Sequence, residues 1–163
     1  MNAHAFRAAF FALAVGAGAV FTPGPTAAQA PAPMKLTLVA GGRTQTLRGT
    51  GRCGHEPHAY IYGPAAALWS AQVADPAQQV TLSYWRLAAA GAGAQFTLSV
   101  RSGRTQHLIN TVQGSAPAGS GRVTLRPTAL GGRFDVQGTA ADGTTLQVTI
   151  ECARFGGMYA EGG

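Results

Sequence analysis

From residue 36 onward, apolar and polar side chains alternate with a period of two, and helical spacing is scarce. Successive side chains on a strand point to opposite faces, so this alternation marks half-buried β-strands. Leu36-Thr37-Leu38-Val39 runs into Gly41-Gly42, a hairpin signal, and Thr44 to Cys53 reads as the returning strand. Ala59 to Tyr62 is a short strand closed by Gly63-Pro64, and Leu68 to Val73 is another, ended by Asp75-Pro76. Val80, Leu82 and Tyr84 share one face of the next strand, with Thr81, Ser83 and Trp85 on the other. Phe96-Leu98-Val100 lines a further strand, Ser102-Gly103 turns it, and His107 to Val112 returns. A Gly/Ser/Pro-rich loop over residues 114–121 precedes Val123-Leu125, Phe134-Val136 and Leu146-Val148-Ile150, with Asp142-Gly143 as the last turn. About nine or ten short strands spaced by Gly, Pro and Asp predict an all-β fold, a single small antiparallel β-sandwich or partly open barrel. Ala65-Ala66-Ala67 and Ala88-Ala89-Ala90 are the places where a helical turn competes, because Ala has the best helix propensity.

The first thirty residues break this pattern. Arg7 precedes an apolar run from Ala8 to Val20, about 13 residues against the ~20 a membrane helix needs, and small residues follow. Residues 1–30 are therefore expected to be a signal peptide, cleaved after Ala28 or Ala30, and no transmembrane segment is expected. Residues 31–35 read as a Pro-rich exit, 36–155 as the β domain and 156–163 as a flexible tail. The expected destination is periplasmic or secreted.

Export changes the meaning of the two cysteines, Cys53 and Cys152. In an oxidising compartment an isolated pair is normally bridged, and neither residue belongs to a CxxC motif. Cys53 shares parity with Leu47, Gly49 and Gly51, and Cys152 with Leu146, Val148 and Ile150, so both should project into the core. A core disulfide between the outermost strands is the expectation.

Charge narrows the partners. The chain carries twelve basic and six acidic residues, a net charge of +6, with the arginines scattered rather than clustered. A nucleic-acid footprint is a patch or stripe, so none is expected. A diffuse positive field suits an envelope polymer or another exported protein as partner.

The densest chemistry is Cys53-Gly54-His55-Glu56-Pro57-His58. Two imidazoles there, with His107 as a third, suit copper or zinc, against a plain reading as a polar turn after the second strand. Tyr60, Tyr62 and Trp85 are the aromatic candidates for a binding face; Tyr84 follows the parity of the core, and Trp85 falls on the polar parity. Glu56 beside His55 and His58 is the one local acid–base grouping, and no G-x-S-x-G elbow, P-loop or H-E-x-x-H helix is present. No catalytic residue and no cofactor are expected.

The opening hairpin, the G-x-G-x-C strand (Gly49 to Cys53) and the closing V-T-I-E-C strand (Val148 to Cys152) resemble the 19-kilodalton lipoprotein-antigen family of mycobacteria. The resemblance implies an exported β-rich envelope protein without an established enzymatic activity. That family carries an acylated N-terminal Cys, which this chain lacks, so neither anchoring nor any functional residue carries over. The expected function is a non-enzymatic exported binding protein; a periplasmic copper- or zinc-binding protein and a protein inhibitor of an envelope hydrolase are the alternatives.

Overall fold

The computed structural model describes residues 30–158. The segment read as a signal peptide, except Ala30, and residues 159–163 of the expected tail lie outside the described residues. All regular structure within them is strand: β1 (Ala32–Ala40), β2 (Arg43–Tyr60), β3 (Ala65–Ala74), β4 (Gln78–Leu87), β5 (Ala94–Ser102), β6 (Thr105–Asn110), β7 (Ser120–Pro127), β8 (Gly132–Thr139), β9 (Thr145–Cys152) and β10 (Gly156–Gly157).

The alternation sets the architecture. Leu36 and Leu38 of β1, Val80 and Leu82 of β4, Phe96, Leu98 and Val100 of β5, and Leu146, Val148 and Ile150 of β9 are all buried, while Thr81, Arg101 and Gln147 between them face solvent. Each such burial is worth roughly 1.5–3 kcal/mol, so a sheet with one apolar face must cover it. Here the sheet curls on itself. The strands follow the path β6-β5-β4-β3-β2-β1-β9-β8-β7, and every pairing along it is antiparallel. The protein is an all-β, nine-strand antiparallel, nearly closed barrel, the second of the two architectures the sequence allows.

Closure stops one step short for a reason of parity. Strands that alternate in direction along a path of nine leave the first and last, β6 and β7, running the same way, so no antiparallel ladder can join them. The connection over residues 111–119 covers this seam instead, and Ala118 exchanges two backbone hydrogen bonds with Asn110, at 2.6 and 3.1 Å. The β8–β9 turn adds Ala141 N–H donating to Leu108 O at 2.9 Å, and His107 Nδ1 meets Asp142 Oδ2 at 2.7 Å. Glycine lets the inner walls meet: a Cβ on Gly138 would collide with the Ser120 carbonyl and lie 2.9 Å from Ile109 Cδ1.

β1 lies between β2 and β9. Past its first residue, its place beside β2 is taken by β10, parallel to Gly54 and His55. Near this point Cys53 and Cys152 are bridged, with Cα atoms 6.1 Å apart and a sequence separation of 99. Both are buried, as their parity requires. The bridge does not tie the outermost strands, which are β6 and β7; it joins the two neighbours of β1 at the middle of the path.

Other boundaries also move. β1 starts at Ala32, inside the expected Pro-rich exit. β2 runs on through His55-Glu56-Pro57-His58, which is therefore no turn; its pairing with β3 slips between Glu56 and Ala59, a bulge where Pro57 owes the ladder no N–H. Ala65 to Ala67 pair in β3, so cross-strand bonding overrides their helix propensity. The expected tail opens with β10, followed by Met158, whose sulfur accepts from Ser70 Oγ at 3.0 Å. The basic residues are not all scattered. Arg48, Lys35, Glu151, Arg133 and Arg126 occupy one register row across β2, β1, β9, β8 and β7.

Candidate functional site

One end of the barrel carries the turns at residues 41–42, 75–77, 103–104 and 140–144; the other carries 61–64, 88–93 and 128–131. At the second end, register places His55, Trp69, Tyr84 and Phe96 opposite one another on β2, β3, β4 and β5. The bulge in β2 comes just after His55, so that residue keeps the inward parity of Cys53. An aromatic row results. His55 stacks on Trp69 with centroids 4.4 Å apart and planes 10° from parallel, and Trp69 leans on Tyr84 at 5.5 Å. Phe134 meets Tyr84 edge-on at 6.3 Å, and Phe155 meets Phe134 at 5.9 Å, carrying the cluster to the far wall.

Above this floor is a cleft of about 390 Å³, walled on the far side by the β7–β8 loop with Leu130 exposed at its rim. That volume lies within the ~300–1,000 Å³ typical of ligand pockets, and barrel mouths are favoured places for them. The loop is held in place by Thr128 N–H donating to Gly131 O at 2.9 Å and Phe155 N–H donating to Leu130 O at 2.8 Å. Arg86, two residues after Tyr84, sets its guanidinium carbon 5.0 Å from the Trp69 ring centre and is the one permanent charge that the described residues place in the wall. Such cation–π contacts leave the N–H groups of Arg free to bind.

Burial holds the His55 pKa below 6.5, Glu56 opposing and Arg86 reinforcing the shift, so the ring is neutral at pH 7. Burial likewise raises the Tyr84 phenol above 10.0, against the pull of Arg86. His55 Nε2 is buried with no hydrogen-bond partner among the described residues. An orphaned buried polar atom of this kind costs about 1–3 kcal/mol. The mouth thus combines a row of packed aromatic rings, one buried ring nitrogen without a partner and one cation. Among the described residues its wall contains no carboxylate and no thiol, and the Thr128 hydroxyl accepts from Gly131 N–H at 3.0 Å.

The expected metal set is not assembled. Among the described residues no three His, Cys, Asp or Glu side chains converge. His55 lies in the mouth, His58 within the bulge is exposed, and His107 pairs with Asp142 at the seam. Glu56, read as the acid–base partner of these imidazoles, instead accepts from the His58 backbone N–H at 2.9 Å. The expected aromatic set does come together: Tyr60, Tyr62 and Trp85 border a second cleft on the outer wall. Trp85 is half-buried there rather than exposed, covered by the loop that carries Val112.

Nothing in the sequence singles out Arg86 or Phe155. Trp69 shares parity with Ala71 and Val73, and Arg86 with Tyr84, which places each on the inner face; the register that gathers them is set only by the folded sheet. A wider cleft of about 620 Å³ lies over the charged row, but Lys35 and Arg133 there already face Glu151, at 3.0 and 3.8 Å. No family model, curated protein or solved structure matches this chain, so the mouth is interpreted from its own geometry.

Proposed function

We propose that this protein is a non-enzymatic binding protein of an oxidising, extracytoplasmic compartment that holds a small ligand in its barrel mouth. The observation that carries the reading is the unpartnered His55 Nε2 beside the stacked Trp69 and the guanidinium of Arg86. A ligand with a flat apolar body would stack on the ring floor, accept or donate at His55, and place a carboxylate, sulfonate or phosphate on Arg86. That the described residues place no carboxylate or thiol in the wall favours binding over turnover. The disulfide supports the compartment.

The probe is 8-anilinonaphthalene-1-sulfonate, which has both features. The expected result is saturable binding that quenches Trp69, with Arg86→Gln weakening it about tenfold or more, the worth of a charge-assisted hydrogen bond. Binding of equal strength in Arg86→Gln, or none in the parent protein, would refute the reading.

A further inference from the structure

The second cleft differs from the mouth in chemistry. It lies on the outside of the barrel, where the bulge in β2 switches parity and pairs Ala59 with Ala66, so that Ala59 and Ile61 are buried on the outer face, Ile61 beside Val112 and Trp85. Its volume is about 310 Å³. Trp85 forms part of its wall, together with Ile61 and Val112. Tyr60 and Tyr62 stand at its edge, 68% and 71% exposed, and they are two of the four large hydrophobic residues that the described surface exposes.

Their display is built in. Tyr62 has a φ of 47°, a backbone region that bulky residues avoid unless the surroundings impose it. Its ring lies against Gly114, where a Cβ would come within 3.4 Å of the ring, so the glycine leaves the tyrosine its seat. The loop bearing Gly114 is fixed by Asn110, whose Nδ2 donates to Ser115 Oγ and Ala116 O at 2.9 and 2.8 Å and whose Oδ1 accepts from Val112 N–H at 3.1 Å.

In a chain with a net charge of +6, no Lys, Arg, His, Asp or Glu among the described residues lines this cleft. Its side-chain polar groups are hydroxyls, an amide and an indole N–H, from Thr97, Ser115, the tyrosines, Asn110 and Trp85. A lining of this kind matches a ligand that is uncharged, has an apolar flat face and carries hydroxyls round its rim. We infer that the outer cleft is a binding site for a neutral sugar ring, stacked on Tyr60 or Tyr62 and bonded through its hydroxyls. An anionic polymer or a charged peptide finds no counter-charge there. The inference does not rest on the mouth, since the two sites share no lining residue.

The test uses maltohexaose and chitohexaose, both neutral, titrated into a Trp69→Phe variant so that Trp85 is the sole tryptophan reporter. The expected result is a saturable change in Trp85 emission that survives about 0.5 M salt, at which exposed charges are screened. Tyr60→Ala with Tyr62→Ala should weaken it about tenfold or more; both side chains are exposed, so the fold is retained. Backbone amide shifts of residues 112–115 in the parent chain provide a second reading that does not depend on the Trp69 substitution. No saturable response to either sugar by both readings overturns the inference. So does a response undiminished in the double variant, or one seen only with a sulfated oligosaccharide and abolished by salt.

Discussion

His55 shows how a single side chain joins stability to the site. Its pKa is depressed by burial, so the folded state holds the neutral ring and resists protonation. The contribution is complete above the unfolded value of 6.5 and is lost as pH falls through the lower folded value. Unfolding in urea at a series of pH values should therefore show the parent protein losing stability below about pH 6.5 relative to His55→Phe, which keeps a ring to stack on Trp69. Parallel pH curves for the two proteins would show that His55 is not the group responsible. The sequence marked His55 as chemistry and Tyr84 as core, because parity and residue type are local. It marked neither Arg86 nor Phe155, since their partners are 17 residues or more away in sequence and are brought to them only by register and by the chain after β9.

At the level of elements, the strands were legible and the irregularities were not. Alternation in β1, β4, β5 and β9 is clean, and each buries the face expected of it. β2 was read as two strands, because a Pro-containing polar stretch looks like a turn until the bulge at Glu56/Ala59 shows how the ladder passes it. The outer cleft exists because of that bulge, which explains why Tyr60 and Tyr62 could be nominated but not placed. The seam loop likewise depends on one residue. Asn110→Ala removes three side-chain hydrogen bonds from the 112–116 turn, and the expected loss is about 1–3 kcal/mol in denaturant unfolding. Hydrogen exchange should rise first at Val112, whose N–H donates to the lost oxygen. Unchanged protection there would mean that backbone bonds alone hold the turn.

For the whole molecule, the bridge unites two units. The backbones of the meander β1–β6 and the meander β7–β9 are joined where β1 pairs with β9 and where β6 and its loop approach β7 and the β8–β9 turn, and Cys53–Cys152 locks the first of these junctions. Constraining a loop of about 100 residues contributes up to ~4.7 kcal/mol by chain entropy, an upper bound for a domain whose total is ~5–15 kcal/mol. Cys53→Ala is expected to lower the melting temperature sharply or abolish cooperative unfolding; a melting curve coincident with the parent protein would exclude a structural role. The sequence supplied the pair and its inward parity but not its position, because nothing local shows that β9 returns to lie against β1.

That return also brings the two ends of the described chain together. Ala153 N–H donates to Pro33 O at 3.3 Å, and β10 continues along β2 where β1 leaves off. The covalent break and the unpaired seam are thus two interruptions of one ring, at different places around it. Joined at residues 158 and 32 and cut between Asn110 and Ser120, a circular permutant would run β7, β8, β9, β1 and on to β6, with each of these nine strands paired to the next and the short β10 set beside β2. The barrel is, in that sense, a plain up-and-down meander whose numbering starts at its fourth strand.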